Sequence, residues 1–363
     1  MSGVWGQNIQ YSIFGESHGD AIGIVISGLP SGIKLDLELI KKEMQRRAPG
    51  SSDLVTPRKE EDNFEILSGY FEEHTTGTPL CAIIRNKNIK SSDYTNLKYA
   101  MRPGHADYGG RIKYKGFNDY RGSGHFSGRI TASLVFGGAI AKQILAAKGI
   151  KIISHVLSIH NVKDEAFDLT VISDDILEKL SALAFPVINE EASEAMKRCI
   201  LDAKERKNSV GGIIECAVLN VPPGIGNPFF DSVESTLAHL LFSVPAVKAI
   251  EFGKGFPITE MEGSESNDPY TIEDGKIKTL TNNNGGIIGG ITNGMPIVLR
   301  CAIKPTASIG LEQQTIDIVE IKNTKLKVEG RHDPCIVPRV LPVIEAVSAI
   351  GVLEQLITVI DKI

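Results

Sequence analysis

The chain has 363 residues, of which 42% are hydrophobic and 23% charged, and its formal net charge is −5. This is the composition of an ordinary globular protein that is long enough to bury a large core. The net acidity argues against a general nucleic-acid binder, which needs a basic surface. The five cysteines are far apart and form no CxxC pair, which argues against a disulfide framework and a Cys-rich zinc site.

Targeting and membrane signals are missing from the sequence pattern. The first ten residues have neither a basic region nor an apolar core, so we expect no secretory signal. The longest apolar segments contain Gly, Lys or Glu and fall short of a membrane span, so we expect no membrane association. Unpaired cysteines suit a reducing compartment, and the prediction is therefore a cytoplasmic protein.

Strand and helix patterns alternate along the chain. Leu37, Ile40 and Met44 share one helical face, and that helix is predicted to end at Arg46-Arg47, because Ala48-Pro49-Gly50 is a stop signal. Short apolar runs predict strands, and longer apolar or charged segments predict further helices. The predicted strands are Tyr11–Phe14, Ala21–Gly28, Leu80–Arg85 and Ile297–Ala302, and the further helices are Ile130–Lys148, Glu190–Lys207 and Val340–Ile360.

Two short sequences recur in the same order in each half of the chain. Residues 26–33 (ISGLPSGI) resemble residues 218–225 (VLNVPPGI), and residues 76–80 (TGTPL) resemble residues 293–297 (NGMPI). Strand–turn similarities also arise by chance, so duplication and coincidence both stay open. A duplication predicts two similar α+β halves that share one core, and no Ser/Pro/Gly linker or charge run separates two domains.

The segment Gly15-Glu16-Ser17-His18-Gly19 matches GxSxG, the pattern of the serine-hydrolase nucleophile elbow. That elbow requires a helix after the serine, whereas Ala21–Gly28 has the pattern of a strand. Two interpretations are left. The turn either caps its own backbone with His18, or it presents Ser17 and His18 to a site.

The segment Lys98–Arg129 carries seven basic, two acidic and six aromatic residues. Aromatic rings interleaved with cations are typical of an RNA-binding surface, but the segment has no RNP-type motif and the whole chain is acidic. A pocket for a small anionic ligand with a ring fits better. The loop Arg121–Arg129 leads into a predicted buried helix, whose N-terminus would bind phosphate. The loop matches neither GxGxxG nor a Walker A sequence.

Further arginines and two polar loops support a site for a polyanion. Arg46 and Arg47 stand at a helix C-terminus, where cations stabilise the helix dipole, and this role alone would explain them. Further arginines elsewhere in the chain favour a site that binds carboxylate and phosphate groups through bidentate contacts. These are Arg58, Arg102, Arg121, Arg129, Arg331 and Arg339. Residues 330–335 (GRHDPC) combine a cation, a base and an acid, and no HExxH pair supports a metal there. Lys304–Ser308 is either a surface turn or a phosphate-binding turn.

Seven motifs together resemble the chorismate synthase family. One such motif is weak evidence, whereas seven in the family's order, spanning residues 14–335, are specific. They are residues 14–19 (FGESHG), 56–60 (TPRKE), 102–108 (RPGHADY), 119–122 (DYRG), 285–291 (GGIIGGI), 304–306 (KPT) and 330–335 (GRHDPC).

The resemblance implies a fold and a reaction. The fold is α+β, a β-α-β layered sandwich with internally duplicated halves, in a single domain over 1–363 that assembles as a homotetramer. The reaction is the anti 1,4-elimination of phosphate from 5-enolpyruvylshikimate 3-phosphate, which gives chorismate for aromatic amino acid biosynthesis. It uses reduced FMN without net redox change. The two carboxylates and the phosphate of this substrate suit the arginine-rich segments.

The resemblance also implies residue roles, position by position. His18 matches the histidine that protonates the departing phosphate, and His105 matches the one that protonates or stabilises the reduced flavin. Histidine suits both tasks because it titrates near neutral pH. Asp333 matches the aspartate that works with flavin N5 in removing the C6 proton. Ser17 and Ser127 match serines that position this relay.

Anion-binding and flavin-binding positions carry over in the same way. The matching substrate-binding arginines are Arg47, Arg129, Arg331 and Arg339. The matching flavin-binding residues are His125, Phe126, Ser127, Ala246, Gly289, Lys304, Pro305, Thr306, Ala307, Ser308 and Arg331.

The chain departs from a common bacterial pattern of the family at several positions. His125-Phe126 replaces Arg-Ser, Ile130 replaces Glu, and Pro245 replaces Asn. Asp53 stands where an Arg often contributes to a pocket for NADP. We therefore expect reduced FMN to come from elsewhere, for example from a separate flavin reductase, with NADPH acting only indirectly.

Overall fold

The computed structural model describes residues 3–50, 54–55, 60–87, 98–328 and 332–360. The predictions that concern Asp53, Arg58 and Arg331 lie outside these residues. The chain divides into two compact units. Unit 1 comprises Met1–Gly137, Lys197–Gly211 and Pro305–Arg339, and unit 2 comprises Gly138–Met196, Gly212–Lys304 and Val340–Ile363. A single domain over the whole chain stays a prediction.

The described residues form helices and strands in an α+β mixture, which is the predicted fold class. The helices are α1 Leu37–Arg47, α2 Asp107–Lys113, α3 Thr131–Ala146, α4 Asp174–Ala182, α5 Glu190–Glu205, α6 Val233–Ser243, α7 Gly263–Ser266 and α8 Val337–Ile360. The strands are β1 Val4–Trp5, β2 Gln10–Gly15, β3 Ala21–Ser27, β4 Phe64–Ser68, β5 Tyr70–Phe71, β6 His74–Thr75, β7 Leu80–Arg85, β8 Lys151–Ile159, β9 Val162–Lys163, β10 Gly212–Leu219, β11 Val247–Phe252, β12 Tyr270–Glu273, β13 Lys276–Thr279, β14 Ile287–Ile288, β15 Ile291–Thr292, β16 Ile297–Ile303, β17 Gln313–Asp317 and β18 Lys322–Leu326.

Unit 1 contains an antiparallel five-stranded sheet in the order β1-β2-β3-β7-β4. Helix α1 follows the central strand β3, and the Asp36 side chain caps it by accepting from the backbone of its first turn. A threonine ties the turn after β3 to the chain before β7. Thr75 Oγ1 donates to Pro30 O at 2.6 Å and accepts from Ile33 N at 3.0 Å.

Unit 2 contains a second antiparallel five-stranded sheet, in the order β9-β8-β10-β16-β11. Helix α6 follows its central strand β10, and Ser232 caps that helix. A threonine makes the corresponding contacts here. Thr292 Oγ1 donates to Pro222 O at 2.6 Å and accepts from Ile225 N at 3.0 Å.

The two units therefore repeat one design. Strands β2, β3, β4 and β7 of unit 1 have the same chain order and the same sheet positions as β8, β10, β11 and β16 of unit 2, whereas the edge strand β1 precedes β2 and the edge strand β9 follows β8. In each unit the threonine of the clamp stands directly before the second echoing segment and binds the first one. The internally duplicated halves that the family resemblance implies are confirmed, and of the two explanations left open for the echo, duplication is the one that fits.

The predicted helices α1, α3 and α5 agree with the structure to within a few residues, but α8 begins earlier than predicted. It starts at Val337 because Pro338 occupies the first turn, where a backbone N–H has no partner to lose. The expectation that no apolar segment reaches the length of a membrane span was wrong. Residues Val337–Ile357 are long and apolar enough, although 94% of the most apolar window is buried, as in the core helix of a globular protein.

Candidate active site

Ser17 and His18 lie in the turn between β2 and β3, and both are buried in unit 1. The loop that contains residues 121–126 closes over this turn. Ser17 N donates to Gly124 O at 3.1 Å, and His125 Nδ1 lies 2.8 Å from Gly15 O. The turn leads into strand β3 and not into a helix, so the nucleophile-elbow interpretation is excluded.

Gly122 is the residue of that loop that packs directly on the histidine. A Cβ at Gly122 would lie 2.3 Å from His18 Cδ2 and 2.9 Å from Ser17 Oγ, and the backbone φ is +55°. A side chain is therefore excluded by both contact and backbone conformation. The glycine allows the loop to hold His18 and Ser17 in place.

Arg102 organises the surroundings of His105. Its guanidinium binds Asp107 in bidentate fashion, with Nε–Oδ2 and Nη2–Oδ1 distances of 2.7 Å. Nη2 also donates to Ser123 Oγ at 2.9 Å, and Nη1 donates to Ser308 Oγ at 3.2 Å. His105 Nδ1 lies 2.7 Å from Asp107 Oδ1. Burial would raise the pKa of Asp107, but hydrogen bonds from Arg102 and His105 outweigh it and lower that pKa well below its usual value.

The predicted substrate-binding residues Arg47 and Arg129 are buried around one carboxylate. Asp62 contacts Arg129 Nη1 through Oδ1 and lies 3.3 Å from Arg47 Nη1 through Oδ2. Glu60 Oε2 lies 3.2 Å from Arg129 Nη1. Burial lowers the pKa of Arg47 to about 10. Burial alone would raise the pKa of Asp62, but the charges of Arg47 and Arg129 lower it. Both arginines are thus held by acidic partners that sequence reasoning had not placed in the site.

Asp333 joins the arginine cluster through Arg339. The Arg339 Nη1 atom lies 2.6 Å from Asp333 Oδ2, and Arg339 Nε donates to Arg47 O at 3.3 Å. The structure therefore brings three predicted site residues together in unit 1. Residue Arg331, of the same motif, is outside the described residues.

Asn86 connects the arginine cluster to the histidine turn. Its Oδ1 accepts from Arg129 Nε at 3.0 Å, and its Nδ2 donates to Glu16 O at 3.0 Å and to Gly19 O at 2.8 Å. Sequence reasoning missed this residue because a single Asn after a strand carries no pattern. Asp62 was missed as well, although it follows the motif at residues 56–60 by two positions.

The predicted flavin-binding residues of unit 1 lie in two loops. Ser127 Oγ accepts from Arg129 N at 3.3 Å, and Phe126 packs on Tyr114 with ring centroids 6.2 Å apart. In the loop 305–308, Thr306 O accepts from Ser209 Oγ at 2.7 Å. Thr306 Oγ1 is buried without a hydrogen-bond partner in the described part of the chain. An orphaned hydroxyl of this kind is a candidate contact for a ligand.

The remaining flavin-binding predictions lie in unit 2. Lys304 N donates to Ala246 O at 2.9 Å, so the structure brings these two residues together. Ala246 has a φ of +77°, a conformation that an alanine rarely adopts and that is frequent at binding sites. Gly289 has a φ of +63° and open space where a Cβ would stand.

Three of the seven cations of Lys98–Arg129 are engaged within the protein. Arg102 and Arg129 are buried, and Arg121 Nη2 pairs with Asp119 at 2.8 Å. This arrangement disfavours the RNA-binding alternative, which needs exposed cations. Among the described residues, no group of three His, Cys, Asp or Glu side chains is arranged to hold a metal ion.

Comparison with known proteins decides the family. The sequence model described as Chorismate synthase matches residues 9–357. The chain belongs to the chorismate synthase family. It is 49% identical over 353 residues to the chorismate synthase of Pyrococcus abyssi, with 97% of each chain covered. It is 45% identical over 350 residues to that of Dehalococcoides mccartyi, with 96% of this chain and 95% of the other covered.

The fold agrees with this membership. A solved structure titled "Crystal Structure of Chorismate Synthase" matches with a TM-score of 0.77 and 30% identity, covering 98% of this chain and 93% of the other. The resemblance drawn from the seven motifs and the predicted fold class are both confirmed. Membership of the chorismate synthase family makes the chain an enzyme of the lyase class.

Proposed function

We propose that the chain eliminates phosphate from 5-enolpyruvylshikimate 3-phosphate to form chorismate, with reduced FMN as cofactor. One observation carries the placement of this chemistry in unit 1. The loop at residues 121–126 lies next to both histidines that are predicted to act as acid or base. Gly122 packs on His18, and Ser123 accepts a hydrogen bond from Arg102, which itself lies beside His105. Both histidines are thereby anchored to one short loop.

Substrate binding is assigned to the arginine cluster. Arg47 and Arg129 are buried, and Asp62 and Glu60 hold their guanidinium groups in place. Guanidinium groups form bidentate hydrogen bonds with carboxylates and phosphates, which are the anionic groups of the proposed substrate. Arg339 and Arg331 complete this set.

The residues present fit a flavin. The orphaned Thr306 hydroxyl is a feature that a bound ligand explains. The residues that would hold FMN are His125, Phe126, Ser127, Ala246, Gly289, Lys304, Pro305, Thr306, Ala307, Ser308 and Arg331. Reduced FMN supplies the electron density that makes loss of a non-acidic hydrogen feasible.

Protons are handled by three side chains of the protein. His18 donates a proton to the departing phosphate, and its ring is buried against Gly122. Asp333 receives the proton from C6 of the substrate, and the guanidinium of Arg339 compensates the charge of that carboxylate. His105 holds or donates the proton on the flavin side. Ser17 and Ser127 position this relay.

Assembly and location are further parts of the proposal. The chain forms a homotetramer in the cytoplasm, where its five cysteines, all free in the structure, stay reduced. A separate reductase supplies the reduced flavin, because Asp53 replaces the arginine frequent in the NADP pocket. Light scattering of the purified protein tests the tetramer.

The function is tested by following phosphate release from 5-enolpyruvylshikimate 3-phosphate under anaerobic conditions. One arm contains dithionite-reduced FMN, and the other contains oxidised FMN with NADPH. Phosphate and chorismate in the first arm only support the lyase and an external source of reduction. Turnover in both arms contradicts the external source, and no product in either arm, with folded protein, contradicts the proposed function.

A further inference from the structure

We propose that Asp107 is the positioning residue of His105: it accepts the Nδ1 proton and leaves Nε2 as the nitrogen that meets a ligand. The inference deepens the proposed function and rests on the role of His105 in it. The two side chains stand two residues apart, where α2 begins at Asp107. His105 is mostly buried, with 18% of its side chain exposed, so its orientation is set by these neighbours.

The hydrogen count on Arg102 fixes which nitrogen of His105 carries the proton. Nη2 of Arg102 has two hydrogens and three neighbours, namely Asp107 Oδ1 at 2.7 Å, Ser123 Oγ at 2.9 Å and His105 Nδ1 at 3.2 Å. The two closest neighbours are oxygens that accept from Nη2, so both hydrogens are used. The contact of Nη2 with His105 Nδ1 is the longest of the three, so Nδ1 can donate its own hydrogen to a closer acceptor.

The acceptor for that proton is the Asp107 carboxylate. Its Oδ2 accepts from Arg102 N at 3.0 Å and from Arg102 Nε at 2.7 Å, so the carboxylate cannot rotate away from His105. The hydrogen bonds that lower the pKa of Asp107 keep it ionised at neutral pH, and an ionised carboxylate only accepts hydrogen bonds. At 2.7 Å from Asp107 Oδ1, the Nδ1 atom of His105 must carry the hydrogen.

This assignment has a chemical consequence. Neutral His105 offers a lone pair at Nε2, and protonated His105 offers an Nε2–H donor backed by the charge of Asp107. Either form can exchange a proton with an anionic ligand without reorienting the ring. Arg102 is then a clamp for Asp107 and not a substrate-binding arginine.

The first test needs neither substrate nor flavin. The protein is labelled with ¹⁵N-histidine, and two-bond ¹H–¹⁵N correlation spectra are recorded at a pH where the ring is neutral, with His105→Gln identifying the His105 signals. We expect a protonated Nδ1 and an unprotonated Nε2. A ring protonated at Nε2 and bare at Nδ1 would overturn the proposal. The result is independent of whether the chain turns over the proposed substrate.

The second test uses Asp107→Asn, with Asp107→Glu as the conservative variant and Glu65→Gln as the control. Glu65 pairs with Arg85 on an exposed part of the same unit, at 3.1 Å. In Asp107→Asn we expect that the correlation spectrum of His105 no longer shows the Nδ1-protonated tautomer alone. We also expect kcat to fall at least about tenfold with KM changed less than about twofold, because an amide no longer fixes the tautomer.

Partial recovery of kcat and of the tautomer in Asp107→Glu supports the proposal. A kcat in Asp107→Asn equal to that of Glu65→Gln overturns it, as does a large drop in kcat with an unchanged His105 tautomer. If Asp107→Asn does not fold, the spectra of the wild type and of Asp107→Glu decide. Absence of wild-type turnover, combined with the expected tautomer, refutes the proposed function and leaves the Asp107–His105 pairing standing.

Discussion

Replacing Gly122 by alanine tests whether the loop holds His18 in its working position. The added Cβ would lie 2.3 Å from His18 Cδ2, whereas carbon atoms in contact are separated by about 3.5–4.0 Å. Either the imidazole or the loop must therefore move by about 1.2 Å or more. A misplacement of about 1 Å is enough to reduce a rate about 100-fold, or about 2.7 kcal/mol in activation free energy.

A second glycine separates this contact from backbone strain. Gly32 has a φ of +80°, but nothing lies within 4 Å of its hypothetical Cβ. Gly32→Ala should cost about 1–2 kcal/mol of unfolding free energy from the left-handed backbone alone, with kcat unchanged. Gly122→Ala should carry a similar strain and in addition lose about 100-fold in kcat.

The assay is steady-state phosphate release with reduced FMN, together with urea unfolding of both variants. A kcat for Gly122→Ala within about twofold of that for Gly32→Ala would refute the reasoning. It would mean either that the loop yields without moving His18 or that His18 has no part in the reaction.

Three further substitutions test the buried charges and the link between the clusters. Asp62→Asn should lower the unfolding free energy by about 3–5 kcal/mol in urea titrations at pH 7, because two buried arginines lose their shared carboxylate. Since the pKa of Asp62 is lowered in the folded state, the deficit should shrink as the pH falls below about 3.8; a constant deficit would contradict the pairing. Burial opposes the charge of His155, but two flanking carboxylates raise its pKa. The loss of unfolding free energy in His155→Gln should therefore be at its full size below about pH 6.5 and should decrease as the pH rises through the higher pKa of the folded state. A loss that grows with pH would refute this assignment. Asn86→Ala should reduce kcat about tenfold and raise KM, since Arg129 and the histidine turn both lose a partner, whereas the exposed Asn323→Ala should change neither.

Local patterns predicted much of the fold. The strand Leu80–Arg85 was predicted with its observed bounds, and helix α1 with its observed end at Arg47, because apolar runs and a Pro-Gly stop signal are encoded within a few neighbouring residues. The short echoes left duplication and coincidence open, and the structure places them at matching threonine clamps. The start of α8 was missed by three residues, because the apolar run that predicts the helix begins at Val340, after Pro338.

The candidate site was predictable in its motifs but not in its contacts. His18, His105 and Asp333 belong to short, recognisable sequences, and their family roles follow from position. The partners of the buried arginines do not, because Asp62 stands 67 residues from Arg129 along the chain. Such pairings are created by the sheet, which brings distant segments together, and a single sequence holds no record of them.

The most direct test of the proposed lyase is the number of turnovers per flavin. Under anaerobic conditions, with FMN reduced once and no further reductant, the account predicts phosphate and chorismate in equal amounts and in large excess over the flavin. The flavin should still be reduced at the end. Product limited to one equivalent of the flavin, or oxidation of the flavin in step with phosphate release, would contradict an elimination without net redox change.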